Sequence, residues 1–183
     1  MIAMSWHHGP RHSTDGSGIY FITSATLHKQ HIYRGHKRLD LLASALLEHV
    51  SKARWRLDAW AAFSNHYHVV VGIPADAGRV PDVIRALHSE LAIAANELDD
   101  QPGRQVWHQY RDTELVGQRS ELARTAYVYH NPVKHGIVAA PEQYRWCSAG
   151  WGVPMSGRFG ERTLRSFVPS RIHVDDDFDV VVG

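Results

Sequence analysis

The stretch Trp55 to Ile73 reads WRLDAWAAFSNHYHVVVGI, and the fold turns on it. Trp55 to Phe63 and Tyr67 to Ile73 are two strand-like runs separated only by Ser64, Asn65 and His66, a length that suits a tight antiparallel hairpin. Pro74 to Gly78 breaks the pattern. Working outward, Val80 to Leu98 carries Val83, Ile84, Leu87, Leu91 and Ala94 or Ala95 on one stripe, with Pro81 where a first helical turn accepts it. Upstream, Gly18 to Leu27 (GIYFITSATL) predicts a first strand and Leu39 to Ser51 a helix. Downstream, Gln105 to Val116 predicts a fourth strand, and Ser120 to His130 a helix that Ser120 caps and Pro132 stops. The order strand, helix, strand, strand, helix, strand, helix predicts an α+β fold: a ferredoxin-like, split strand-helix-strand antiparallel sheet with an added C-terminal helix.

The chain has 183 residues, 44% of them hydrophobic and 21% charged, which fits one globular domain and excludes a fibrous repeat or disorder throughout. No apolar run reaches the roughly 18 to 20 residues of a membrane span, and the first residues lack the apolar stretch of a secretory signal. Cys147 is the single cysteine, so neither an internal disulfide nor a multi-cysteine zinc site is available. These features predict a soluble cytoplasmic protein. Residues 1–17 and the stretch after Trp151 read as loosely ordered or partner-dependent, placing the folded domain at 18–151 and an extension at 152–183.

Net charge is only +1, but its distribution is uneven. Residues 1–56 hold 8 basic and 3 acidic side chains, 57–133 hold 6 and 10, 134–174 hold 6 and 2, and the tail from Asp175 holds 4 acids alone. Basic flanks around a more acidic middle are compatible with a polyanionic partner, although scattered solvated charges are the commoner origin of such asymmetry. Arg158, Arg162, Arg165 and Arg171 are the candidate phosphate contacts of the C-terminal flank.

Chemistry first shows at His66-Tyr67-His68. In an extended segment both imidazoles project from one face while Tyr67 and Val69 point the other way, which makes a pair of nitrogen ligands. A His-x-His pair also arises by chance in a chain with 14 histidines. Its place at the start of an otherwise apolar strand raises the metal reading, because two buried imidazoles need partners. In ARTAYVYHNPVKHGIV, Tyr127 and Asn131 lie four apart and share a helical face, so a phenol and a carboxamide converge. Core packing of Tyr127 and a capping role for Asn131 before Pro132 are the alternatives.

Taken together, NHYHVVV, VWHQYRD, YVYHNPVKHGIV and PEQYRWCSA occur in an order that resembles the HUH single-tyrosine transposases, in particular the REP-associated tyrosine transposases, over about Gly18 to Trp151. The resemblance implies that His66 and His68 ligate a divalent ion, Mg²⁺ or Mn²⁺, with Asn131 as the polar third ligand. It implies that Tyr127, on the added C-terminal helix, is the catalytic nucleophile. Tyr67 departs from the aliphatic residue common at the middle position but keeps that face hydrophobic. The activity implied is cleavage and rejoining of single-stranded DNA bearing hairpins, of the repetitive extragenic palindrome kind, through a 5′-phosphotyrosine, by a monomer or homodimer. Trp55, Trp60, Trp107, Trp146 and Trp151 are candidate base-stacking platforms or core residues. His130 and His135 read as solvated or DNA-facing. The alternatives are a noncatalytic DNA-hairpin binding protein, which would form no adduct, and a metal-dependent phosphohydrolase, which would use water in place of Tyr127.

Overall fold

The computed structural model describes residues 17–151 and 158–167. Strands β1 (Gly18–Ala25), β2 (Arg56–Ala62), β3 (His66–Ile73) and β4 (Arg111–Glu114) form one antiparallel sheet in the order β2-β3-β1-β4. This is the predicted ferredoxin-like arrangement. All eight residues of β3 are buried, so the apolar VVVGI half serves a strand covered on both faces. Helices α1 (His36–Lys52) and α2 (Val80–Asp99) pack on each other and are bridged by His49 Nε2 and Glu90 at 2.9 Å. Helix α3 (Gln118–Lys134) lies on β2 and β3.

Strand alternation sorts β3 between these layers. Tyr67 points toward α2, where its hydroxyl meets His88 Nε2 at 3.0 Å, and His68 points toward α3, where its ring lies 5.7 Å from that of Tyr127. Burial on the α2 side drives the His88 pKa down to about 3, so Tyr67 bonds a neutral imidazole. Trp107 stacks on His88 at 4.4 Å and on Tyr33 at 5.3 Å, completing an aromatic layer under the sheet. Of the five tryptophans considered as stacking platforms, Trp55, Trp60, Trp107 and Trp146 are buried and Trp151 packs against Trp60; they are built into the core.

Three local expectations are corrected. The fourth strand is only Arg111–Glu114, because Trp107 turns inward and the segment before it is tied to the end of β1 by Leu27 N to Val106 O and His108 N to Ala25 O. Helix α3 opens at Gln118 from Gly117, whose φ of +86° suits glycine, and Ser120 already donates its N–H to the Gly117 carbonyl. Pro132 does not stop α3; the helix runs on to Lys134. Proline deletes one donor within the last turn, but His135 N still reaches Asn131 O at 3.0 Å, so only part of that turn's bonding is lost.

Beyond Trp151, residues 158–167 hold helix α4 (Glu161–Ser166), packed on α3 where the sequence suggests little order. Phe159 and Leu164 bury themselves against Ala126 and Tyr129, and His130 Nε2 meets the Leu164 carbonyl at 2.9 Å. Arg158 pairs with the buried Glu121 at 3.1 Å, and Arg165 with Glu142 at 2.5 Å. Arg162 is exposed on α4, whereas Arg171 and the acidic tail from Asp175 lie outside the described residues. Among the described residues no helix is long and apolar enough to cross a membrane.

Leu164 is the apolar anchor of α4, so Leu164→Ala should cost about 2 to 3 kcal/mol of local docking energy. The expected result is faster amide exchange and proteolysis within 158–167, with the melting transition of the sheet nearly unchanged. A fall of the whole transition would show instead that α4 is part of the central cooperative unit.

Candidate metal and tyrosine site

Strand register builds the first half of the site. Ala25 lies opposite His66 and Thr23 opposite His68, and Thr23 Oγ1 sits 2.8 Å from His68 Nδ1. His66 Nδ1 sits 2.7 Å from Asn65 Oδ1, while Asn65 Nδ2 donates to the Lys29 carbonyl at 3.3 Å. That second bond fixes the amide so that its oxygen faces the ring. His66 therefore carries its proton on Nδ1 and offers a lone pair at Nε2. Aromatic walls hold both rings: Phe63 stacks on His66 at 4.6 Å and on Tyr144 at 5.4 Å, and Phe21 stacks on His68 at 5.6 Å.

Helix α3 supplies the rest. Tyr127, Asn131 and Lys134 occur at i, i+4 and i+7, so they share one side of the helix, and all three lie in helical backbone because α3 passes through Pro132. Tyr127 and Asn131 are fully buried. The Tyr127 ring meets Phe21 edge-on at 6.1 Å as well as His68, and Lys134 Nζ donates to Tyr127 Oη at 3.3 Å while lying 4.7 Å from the ring centroid. Tyr129 faces elsewhere, donating its hydroxyl to Glu142 at 2.8 Å. Just past the last turn, His135 brings its ring to 5.3 Å from that of His66.

The result is a cluster in which the ligand nitrogens of His66, His68 and His135 all lie within 4.8 Å of one another. Burial, reinforced by the neighbouring imidazoles, holds the His66 pKa well below its ordinary value, and burial takes that of His135 down to about 4. Neutral imidazole is the form that binds metal, so these residues fit a divalent ion on the chemistry of the donor set. The structure thus brings His66, His68 and Tyr127 together as the sequence suggests, and places Asn131 in α3 between Tyr127 and His135.

Lys134 went unrecognised in the sequence, and His135, read there as solvated or DNA-facing, instead turns its ring toward His66. Lys134 and His135 follow Tyr127 by seven and eight positions, a spacing that returns to its face of a helix. Reading Pro132 as the helix end hid that signal. Burial lowers the Lys134 pKa, as expected of an ammonium held against aromatic surface.

Comparison with known protein families and with curated proteins gives no match. Among solved structures, a REP-associated tyrosine transposase bound to a REP hairpin aligns with a TM-score of 0.66 at 16% sequence identity, over 79% of this chain and 84% of that one. A protein of Deinococcus radiodurans provisionally named a transposase aligns at 17% identity over 68% of this chain and 95% of its own, but its TM-score of 0.45 is too low to bear on the fold. The first likeness establishes that this chain has the fold of that transposase.

Calorimetric titration with Mn²⁺ should show that His135→Ala weakens ion binding by at least about 10- to 100-fold, the loss that removing even a residue behind a ligand produces. Wild-type affinity in His135→Ala would remove His135 from the ligand set. For the ion-free protein the sign of the pH dependence also follows. His66, His88 and His135 stay neutral in the fold yet titrate near 6.5 when unfolded, so stability is full above about pH 6.5 and falls as pH drops toward 4. Urea unfolding in the presence of chelator, repeated between pH 7.5 and 4.5, measures this; a flat profile would contradict buried neutral histidines.

Proposed function

We propose that this protein is a transposase-like enzyme that cleaves and rejoins single-stranded DNA carrying hairpins, with Tyr127 as the nucleophile. The observation that carries the reading is the shared face of β3 and α3, where the imidazole cluster and the Tyr127 ring lie side by side. The likeness to a transposase solved on a REP hairpin supports a hairpin of that kind as substrate.

In this reading His66, His68 and His135 hold the ion, with Asn131 as a further oxygen donor beside them. A bound Mg²⁺ or Mn²⁺ supplies charge neutralisation and Lewis-acid polarisation of a phosphate. The chain's own residues prepare the nucleophile. A phenol of ordinary pKa near 10 is a weak nucleophile at neutral pH, and the Lys134 ammonium at Tyr127 Oη stabilises the developing phenolate. The phenolic proton leaves to solvent as the oxygen forms a bond to phosphorus. The bond from phosphorus to the 3′ oxygen breaks, and that oxygen takes a proton from water. The products are a 5′-phosphotyrosine and a free 3′-hydroxyl, and attack by another 3′-hydroxyl on the phosphotyrosine rejoins a strand without a nucleotide cofactor. Phe63 and Phe21, stacked on the histidines, keep bulk water from the faces of the rings.

The test is incubation with hairpin oligonucleotides and Mn²⁺ or Mg²⁺, resolved on denaturing gels. Wild-type protein should give a covalent adduct and Tyr127→Phe none, with ion and hairpin binding retained, because only one oxygen is lost. Tyr129→Phe should cleave normally. Cleavage by Tyr127→Phe without an adduct would make water the nucleophile and the protein a phosphohydrolase; tight binding by wild-type protein with no cleavage would make it a binding module.

A further inference from the structure

Arg124 stands apart from the other arginines near the site. It lies three residues before Tyr127 on α3, hence on the same side of the helix, and its guanidinium carbon sits 5.4 Å from the centroid of Phe21. Phe21 in turn contacts both His68 and Tyr127. The Nη1 of Arg124 is buried and makes no hydrogen bond among the described residues. A guanidinium has five donors in a planar fork, and a buried donor left unbonded is costly, so the arrangement points to an absent acceptor. Burial also lowers the pKa of this arginine, as expected of a cation without an anion beside it.

The sheet provides a second cation on the same face. His68, Thr23 and Arg111 lie directly opposite one another across β3, β1 and β4. Residues opposite each other in an antiparallel sheet point the same way, and each strand adds about 5 Å, so Arg111 projects from the edge strand on the side that bears His68. Asp112 and Glu114 pair with Ile22 and Tyr20, so alternation sends these acids to the opposite face. The described sheet face beside Phe21 and Thr23 therefore carries guanidiniums without carboxylates from β4.

We infer that Arg124, with Arg111 across the sheet edge, forms a subsite for one backbone phosphate of single-stranded DNA next to the bond that Tyr127 attacks. The inference rests on the proposed DNA-processing reading and names the path of the strand: from the imidazole cluster across Phe21 and Thr23 toward the β4 edge. Arg124 positions the strand and takes no part in bond making. Its planar fork grips two phosphate oxygens at once, and its place one helical turn from Tyr127 suits a neighbouring phosphate.

The experiment measures binding of a fluorescein-labelled hairpin with a single-stranded flank to the full chain, comparing wild type with Arg124→Met, which keeps an unbranched stem over Phe21 and loses the charge. A parallel series of oligonucleotides carries one neutral methylphosphonate linkage at each flank position. Arg124→Met should bind about tenfold more weakly, and its slope of log affinity against log salt should fall by about 0.7, one single-strand phosphate. Neutralising one particular flank linkage should weaken wild type more than it weakens Arg124→Met, in which Arg111 alone remains at that phosphate, while Mn²⁺ affinity is the same in both. Undiminished DNA binding and an unchanged slope in Arg124→Met would overturn the subsite. Inorganic phosphate that binds wild type but not Arg124→Met, without any effect of the substitution on DNA, would assign the guanidinium to a free anion and overturn it too. Failure of wild type to bind any oligonucleotide would overturn the proposed function along with it. Should Arg124→Met not fold, Arg124→Lys serves: weaker binding with the salt slope retained supports the fork contact, and wild-type affinity overturns it.

Discussion

A strand buried on both faces has to satisfy every polar atom it carries, and β3 begins with two imidazoles. His66 and His68 face the same side because strand periodicity is two, and both are wholly buried. The cost of that burial is met at the Nδ1 atoms by Asn65 and Thr23, residues supplied by the hairpin turn and by the paired position on β1. Much of the molecule follows from this arrangement. The aromatic rings of Phe21 and Phe63 are stacked on the histidines, and α3 must cross the sheet where Tyr127 and His135 can reach them.

Helix α3 answers that demand by continuing through Pro132. A helix ending at His130 would leave Asn131, Lys134 and His135 in a loop, with no reason to return to the face of Tyr127. The missing proline N–H costs about as much as one hydrogen bond, and the extra turn sets a cation at the phenol oxygen and a third imidazole at the cluster. The side of α3 turned toward β2 does something else, because Glu121 is buried there between Arg56 and Arg158 and ties the C-terminal segment to the domain.

The strand and helix order was legible because its signals are local: β-branched runs, a helical stripe in α2, and a three-residue gap for the hairpin. That His66 and His68 share a face, and Tyr127 and Asn131 another, was legible from strand alternation and helical pitch. These patterns also fit core packing, and what singled the residues out as a site was the order of motifs that resembles a known family. The places of His135 and Lys134 were not legible, since a proline two or three residues earlier argues for a helix end, and only packing on β3 overrides that preference. The arginines of the C-terminal flank show what charge counting leaves out. It offers Arg158 and Arg165 as candidate phosphate contacts, whereas their ion pairs with Glu121 and Glu142, far away in sequence, form only in the fold. Arg124 is invisible to such counting, because what distinguishes it is a buried donor with no acceptor.

The central claim is that one ion site and one tyrosine form a single reaction centre between β3 and α3. Anomalous diffraction from crystals soaked in Mn²⁺ tests it most directly. The account predicts one strong peak at about 2.0 to 2.3 Å from nitrogens of His66, His68 and His135, on the side of the cluster that faces Tyr127. A peak elsewhere on the molecule, or none in crystals whose imidazole cluster is intact, would contradict it.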